Sequence, residues 1–303
     1  MIWMYAASGK KLKAADLTKL AELDEFGSKS DWVWVDILKP DDKESELVAT
    51  LLGDEKTLVS DVKDGVYNIL HMYTGYEKRH DYTLLSLPFV DLGKELEIHP
   101  IFIFIKEKMI ITWGCEHCPT LIKTVLRMLK DHLNEGIKPN KYFILSRILR
   151  EVVVLDSKAL VSLRERIDKV AGETHEKSGK KALHTVFELK KQISSIHRLL
   201  YLKRRLLCDV KEEMIPNIRL DEEAKPVVED AINDIDQDLE FVDSYDRGLD
   251  GILSLLNLGS IHRVEASINF LTIILVILTL ILVALELAAR FGEHAALSLL
   301  GLF

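Results

Sequence analysis

Cysteine is scarce in this chain of 303 residues: three occur, an odd number that gives no disulfide framework and fits a reducing compartment. Basic charge is also in deficit, with 40 Lys and Arg against 48 Asp and Glu. A net charge of −8 and a sequence pI near 5.7 argue against nucleic acid as a partner, because that binding rests on Lys and Arg neutralising phosphates; cations suit the chain better. There is no Gly-rich phosphate loop and no Gly-x-Ser-x-Gly elbow, and the scattered His and Ser residues form no triad that can be read from sequence. Catalysis therefore has no positive support. The opening Met1-Ile2-Trp3-Met4-Tyr5-Ala6-Ala7 is too short an apolar run for a signal peptide and lacks a preceding basic segment, which predicts a cytoplasmic body.

Long hydrophobic runs are equally rare, and the one present is decisive. Ile268–Ala289 carries a single charged side chain, Glu286, over 22 residues. At 1.5 Å per residue such a helix reaches about 33 Å, enough to cross a hydrocarbon core of about 30 Å, where backbone polar groups must pair within the helix. Lipid is thus one partner. Arg263 before the span and Arg290 after it are too balanced to set its orientation.

Residues 1–140 mix short β-patterned runs with helical ones and predict an α/β domain. Trp32–Ile37, closed by Pro40, Tyr82–Val90 and Ile101–Trp113 read as strands; Asp41–Leu52 and Leu121–Leu133 have helical spacing. Over 141–220 the pattern turns wholly helical. One apolar stripe runs from Ile144 to Val170, breaks at the polar segment Gly172–Gly179, and resumes from Leu183 to Leu200 before Pro216, predicting an antiparallel hairpin.

From 221 to 267 the chain is acidic, and no proline interrupts it between Pro226 and the end of the span, so one helix is expected from Pro226 to Ala289. Asp221–Asp250 holds twelve Asp and Glu against Lys225 and Arg247. Such a helix alone would repel itself, so partners or metal ions are expected to offset the charge, unless this is simply a solvated acidic face. The span then occupies 268–289, and 290–303 form a short C-terminal tail.

This order of elements resembles the CorA family of pentameric divalent-cation channels. Trp34-Val35-Asp36-Ile37 followed by Pro40 resembles the family's early strand, Leu58-Val59-Ser60-Asp61-Val62 its short acidic turn, and Leu271-Thr272-Ile273-Ile274 the opening of its pore helix. The resemblance implies an α/β cytoplasmic domain, a helical hairpin and a long stalk helix continuing into a transmembrane helix, assembled as a homopentamer in the cell (inner) membrane. It places Asp230 on the family's stalk aspartate and Asp61 on the residue facing it from the neighbouring subunit, an intersubunit Mg²⁺ site that closes the pore when cytoplasmic metal is high. Mg²⁺ is the expected cargo, with Co²⁺, Ni²⁺ or Zn²⁺ as alternatives.

Two departures stand out. The family's Tyr-Gly-Met-Asn filter signature should fall at Ala288-Ala289-Arg290-Phe291, where none of it is found. A second span is missing too, since only Ala295–Phe303 is apolar after Arg290, against roughly 20 residues needed to cross; the chain is either a one-span relative or truncated.

Glu265, Thr272, Thr279 and Glu286 recur every seven residues, so in a supercoiled bundle they share one seam. Rings of acid, hydroxyl, hydroxyl and acid would attract hydrated cations, with Leu275 and Leu282 as an apolar gate between them. A carboxylate within a span marks an ion path, although Glu286 also stands four residues from Arg290 as an ordinary helical pair. Cys115-Glu116-His117-Cys118 offers two thiols and an imidazole, yet no second ligand pair accompanies it, and a plain turn before a helix at Thr120 accounts for it. The expected function is a cation channel gated by cytoplasmic metal; the alternative is a non-conducting, membrane-anchored sensor or assembly protein with the same body.

Overall fold

The computed structural model describes residues 1–8, 11–17, 20–27, 30–53, 55–63, 74–93, 96–114, 118–174 and 180–299. They form two compact units. The first comprises Met1–Lys169 with Phe187–Arg247 and carries a seven-stranded sheet of order β2-β1-β3-β9-β8-β5-β4. Its strands are β1 (Ile2–Ser8), β2 (Lys11–Asp16), β3 (Val33–Leu38), β4 (Gly75–Lys78), β5 (Thr83–Ser86), β8 (Phe102–Ile105) and β9 (Met109–Gly114). Two further strands, β6 (Phe89–Leu92) and β7 (Leu96–His99), pair by themselves. Every pairing is antiparallel except the central one of β3 with β9.

Residues paired directly across strands point to the same face of a sheet. One face carries Met4, Val35, Ile111, Phe104 and Leu84 into a core shared with α1 (Leu20–Gly27), α2 (Asp42–Leu51) and α3 (Lys56–Lys63). The opposite face carries Trp3, Tyr5, Trp34, Asp36 and Thr112. It is adjoined by α4 (Pro119–Asn134). Asp41 starts α2 with a full capping box: its carboxylate accepts from the Glu44 amide while the Glu44 carboxylate accepts from the Asp41 amide.

The structure departs from the sequence reading in four places. Tyr82–Val90 is two strands, because the chain leaves the sheet at Leu87 and Pro88, and proline has no amide to give a ladder. Ile101–Trp113 is a hairpin that turns at Lys106, whose amide bonds the Met109 carbonyl. The N-terminal apolar run is the strand β1, buried in the sheet interior between β2 and β3. Leu58–Val62 lies within the helix α3 rather than a turn.

The α/β body gives way to α5 (Lys141–Thr174), α6 (Lys180–Lys211) and α7 (Ala224–Leu299). Asp221 caps α7, its carboxylate accepting from the Ala224 amide at 2.7 Å. Helical structure continues past Ala289 to Leu299, so the expected tail is largely helical among the described residues. Within the first unit the pairings fix directions. Partners of Lys211, Arg204, His197 and Lys190 on α6 advance along α7 through Glu229, Asp236, Asp243 and Asp246, so these helices are antiparallel. Arg150 with Asp230 and Ser157 with Asp238 keep the same order, so α5 and α7 are parallel. The hairpin of α5 and α6 is therefore antiparallel, as its two stripes predicted. The second unit holds 170–174, 180–186 and α7 from Gly248 onward.

Candidate metal-sensing and ion-path residues

Asp61 lies half-buried on α3, at the flank of the stripe of Leu58, Val59 and Val62, which face the core. Asp230 lies on the first turns of α7 and is already engaged, with Arg150 Nη1 donating to its Oδ2 at 2.9 Å and Arg150 Nη2 standing 3.9 Å from Asp234. Among the described residues no group of three or more His, Cys, Asp or Glu side chains is arranged to hold a metal.

The acidity of α7 finds its counter-charge within the chain. Lys190, His197, Arg204 and Lys211 recur every seven residues on α6, matching Glu229, Asp236 and Asp243 at the same interval on α7. Contact with Asp236 raises the Arg204 pKa, and the bond to Glu229 raises that of Lys211. Sequence reasoning missed this ladder, although the heptad spacing of the bases was there to be read. It also missed Lys203, which is fully buried and bonds the equally buried Asp156. Asp156 additionally accepts from the Val90 amide at 2.9 Å, tying β6 to α5. Burial favours the neutral form of both partners, pushing Asp156 up and Lys203 down, while their mutual contact opposes both shifts. Nearby Asp238 accepts from Ser157 at 2.7 Å, and burial pushes its pKa up to about 6.

Val264–Ala288 is the one segment among the described residues that is long and apolar enough to cross a membrane. Glu265, Thr272, Leu275, Thr279, Leu282 and Glu286 all lie on it, with exposed side chains. Thr272 and Thr279 donate to the carbonyls of Ile268 and Leu275, each at 2.8 Å, so their hydroxyl oxygens keep lone pairs facing outward from a satisfied helix. His262 Nδ1 stands 3.2 Å from a Glu265 oxygen. Cys118 is buried immediately before α4, which starts at Pro119; Cys115, Glu116 and His117 lie outside the described residues.

A sequence profile described as CorA-like Mg²⁺ transporter protein matches residues 29–281. The chain belongs to that family. CorA-family proteins are membrane-anchored, oligomeric transporters of divalent cations rather than enzymes, with a soluble N-terminal domain. Among solved structures, the complete CorA magnesium transporter from Methanocaldococcus jannaschii is 17% identical, with a TM-score of 0.72 over 90% of this chain and 81% of that one. The full-length CmaX protein is 12% identical, with a TM-score of 0.68 over the same shares. The ZntB cytoplasmic domain from Vibrio parahaemolyticus is 11% identical, with a TM-score of 0.59 over 86% of this chain and 98% of that one. At these identities the likeness is one of fold. No protein of curated function matches the chain in sequence. The CorA fold accounts for the α/β domain, the long helices and the single described apolar segment.

Proposed function

We propose that this CorA-family chain forms a divalent-cation channel, with Mg²⁺ as its foremost cargo and Co²⁺, Ni²⁺ or Zn²⁺ as further candidates. It would work as a homopentamer in the cell (inner) membrane. Its α/β domain (1–140), hairpin (141–220) and acidic stalk (221–267) would lie in the cytoplasm, followed by the span (268–289) and the C-terminal segment (290–303). The observation that carries this reading is the seam of Glu265, Thr272, Thr279 and Glu286, which recurs every seven residues on an exposed helical segment. Copies packed along that seam present carboxylate and hydroxyl oxygens to a common axis. Hard cations such as Mg²⁺ prefer oxygen ligands and retain much of their water, which rings of this kind accommodate. Leu275 and Leu282 supply apolar constrictions that dewet when the helices close.

Asp61 and Asp230 serve as the cytoplasmic metal sensor in this reading. Metal bridging them across a subunit boundary must displace or share the Arg150 contact to Asp230. The α6 bases already balance much of the stalk, so the gating energy comes from this local bridge more than from repulsion along α7.

A second reading, a non-conducting metal sensor or assembly protein, is favoured by Ala288-Ala289-Arg290-Phe291 standing where the filter signature belongs. Mg²⁺ uptake into liposomes containing the purified chain, followed with an entrapped Mg²⁺ dye, separates the two. A channel gives uptake that falls with Glu286→Gln. A well-folded oligomer that gives no uptake supports the second reading.

A further inference from the structure

Beneath α4 the sheet leaves a cavity of about 160 Å³. Its one acidic wall is Asp36, near the end of β3, and the strand register explains the placement: Asp36 stands opposite Trp3 on β1 and opposite Thr112 on β9, so all three share a face. Ile122 and Leu126, one turn apart on α4, close the other side. Gly114 sets how near that helix comes, because a Cβ there would lie 2.7 Å from Cys118 Sγ.

The polar side of the cavity is rigidly built. Trp34 Nε1 donates to Thr112 Oγ1 at 3.0 Å, and Thr112 Oγ1 donates to Asp36 Oδ1 at 2.6 Å. Among the described residues that neutral hydroxyl is the only hydrogen-bond partner of the carboxylate, and none of their cations pairs with it. A deeply set carboxylate with one neutral donor is costly to keep ionised, and burial accordingly pushes its pKa up to about 6. Beside it, Tyr5 is pushed up to about 12, first by burial and then by the charges of Asp36 and Asp16. Most of the remaining lining is aromatic or aliphatic, from Trp3, Tyr5, Leu38, Ile122 and Leu126, with Cys118 and Lys123 beside them.

We propose that this cavity binds a small primary ammonium ion with a compact apolar body. The ammonium donates to the free lone pairs of Asp36, a charge-assisted bond that supplies the missing counter-charge. The body lies between the Trp3 and Tyr5 rings and the α4 side chains, where a cavity near 150 Å³ is about the size that admits a six-carbon ring. Cationic charge beside two aromatic faces adds to the attraction. The walls select against other classes: an anion meets Asp36, and Mg²⁺, which needs several oxygen ligands, meets one carboxylate in an apolar surround. Lys123 lies at the rim, exposed to solvent, where its charge is screened.

The test is calorimetric titration of the full chain, purified in detergent, with benzylammonium chloride, benzyl alcohol and benzoate. Benzylammonium is expected to saturate one site per chain, to bind at least about tenfold more tightly than benzyl alcohol, and to leave benzoate without measurable binding. Asp36→Asn, which keeps the shape and the Thr112 contact, is expected to abolish the preference for the ammonium. Leu126→Trp fills the cavity from α4 without touching Asp36, and is expected to abolish binding. The proposal is overturned if the intact chain shows no saturable heat, if benzyl alcohol binds as tightly as benzylammonium, or if either folded variant binds benzylammonium like the parent.

Discussion

Arg150 donates to Asp230 at 2.9 Å, so the carboxylate that the family resemblance places at a metal site is held by a cation from the same chain. Both side chains are partly exposed, at 33% and 59%, and a pair of that kind contributes only about 0.2–1 kcal/mol. Replacing Arg150 should therefore leave the fold intact while removing a competitor for metal. Arg150→Met is expected to lower the Mg²⁺ concentration that half-protects the chain from limited proteolysis by roughly 2–5-fold, the binding equivalent of that pair energy. An unchanged midpoint would remove Asp230 from the metal site.

The α6–α7 ladder makes a second prediction, about charge rather than metal. Arg204 bonds Asp236 through two guanidinium nitrogens, the most specific geometry in the ladder. Arg204→Glu should destabilise the helices by about 1–2 kcal/mol, since it replaces attraction with repulsion beside further acids. Adding Asp236→Arg should recover most of the loss. Urea unfolding of the single and double variants at low and high salt checks this, and raising the salt to 1 M should shrink the difference because the Debye length falls to about 3 Å. Recovery that fails at low salt would mean that the ladder reflects packing instead of charge.

Inside the body the balance is different. Lys203 and Asp156 are wholly buried, and Asp156 also holds the Val90 amide. Removing the cation alone strands a buried carboxylate, so Lys203→Met is expected to cost about 3–5 kcal/mol in chemical denaturation. Lys203→Met with Asp156→Asn should recover a large part of this, because the amide oxygen still accepts from Val90 and no charge remains. If the single variant costs less than about 1 kcal/mol, the pair is neutral in the native state.

What could be read from sequence follows from how local each signal is. The span, the hairpin stripes, α2 and α4 are periodic patterns within one segment, and each emerges close to its expected bounds. The edges of long apolar runs were misread, since apolar residues resume directly after the turns at Leu87-Pro88 and at Lys106. The turn at Lys106 is fixed by the pairing of β8 with β9, and the break at Leu87-Pro88 by β5 pairing with β8 while β6 pairs with β7. The strand role of Met1–Ala7 was missed because it depends on partners at 11–16 and 33–38. Among the candidate residues, the seam from Glu265 to Glu286 was legible as spacing. The engagement of Asp230 was not, because Arg150 lies 80 positions away and only the parallel packing of α5 on α7 brings it near.

Asp36 and Asp238 give a prediction of unusual sign. Exposed carboxyls paired with cations, such as Asp42 with Lys63, titrate low, and their contribution to stability is lost as pH falls. Burial instead pushes each of these two up to about 6, from an ordinary value near 3.9. Between about pH 4 and 6 the native chain then binds more protons at these positions than the unfolded chain does, so their contribution to stability grows as pH falls through that window and is gone above about pH 6. For a raised carboxyl of this size the change is at most roughly 2–3 kcal/mol per group. Asp36→Asn is the cleaner probe, because the amide can still accept from Thr112 while carrying no charge. It is expected to stabilise the chain at pH 7.5, by up to that amount, and to lose the advantage by pH 4.5. Urea midpoints for parent and variant at pH 4.5, 5.5 and 7.5 check this directly. Parallel pH dependences in the two proteins would show that Asp36 is ionised in the native state across the whole range, and that the cavity beneath α4 is wet enough to solvate it.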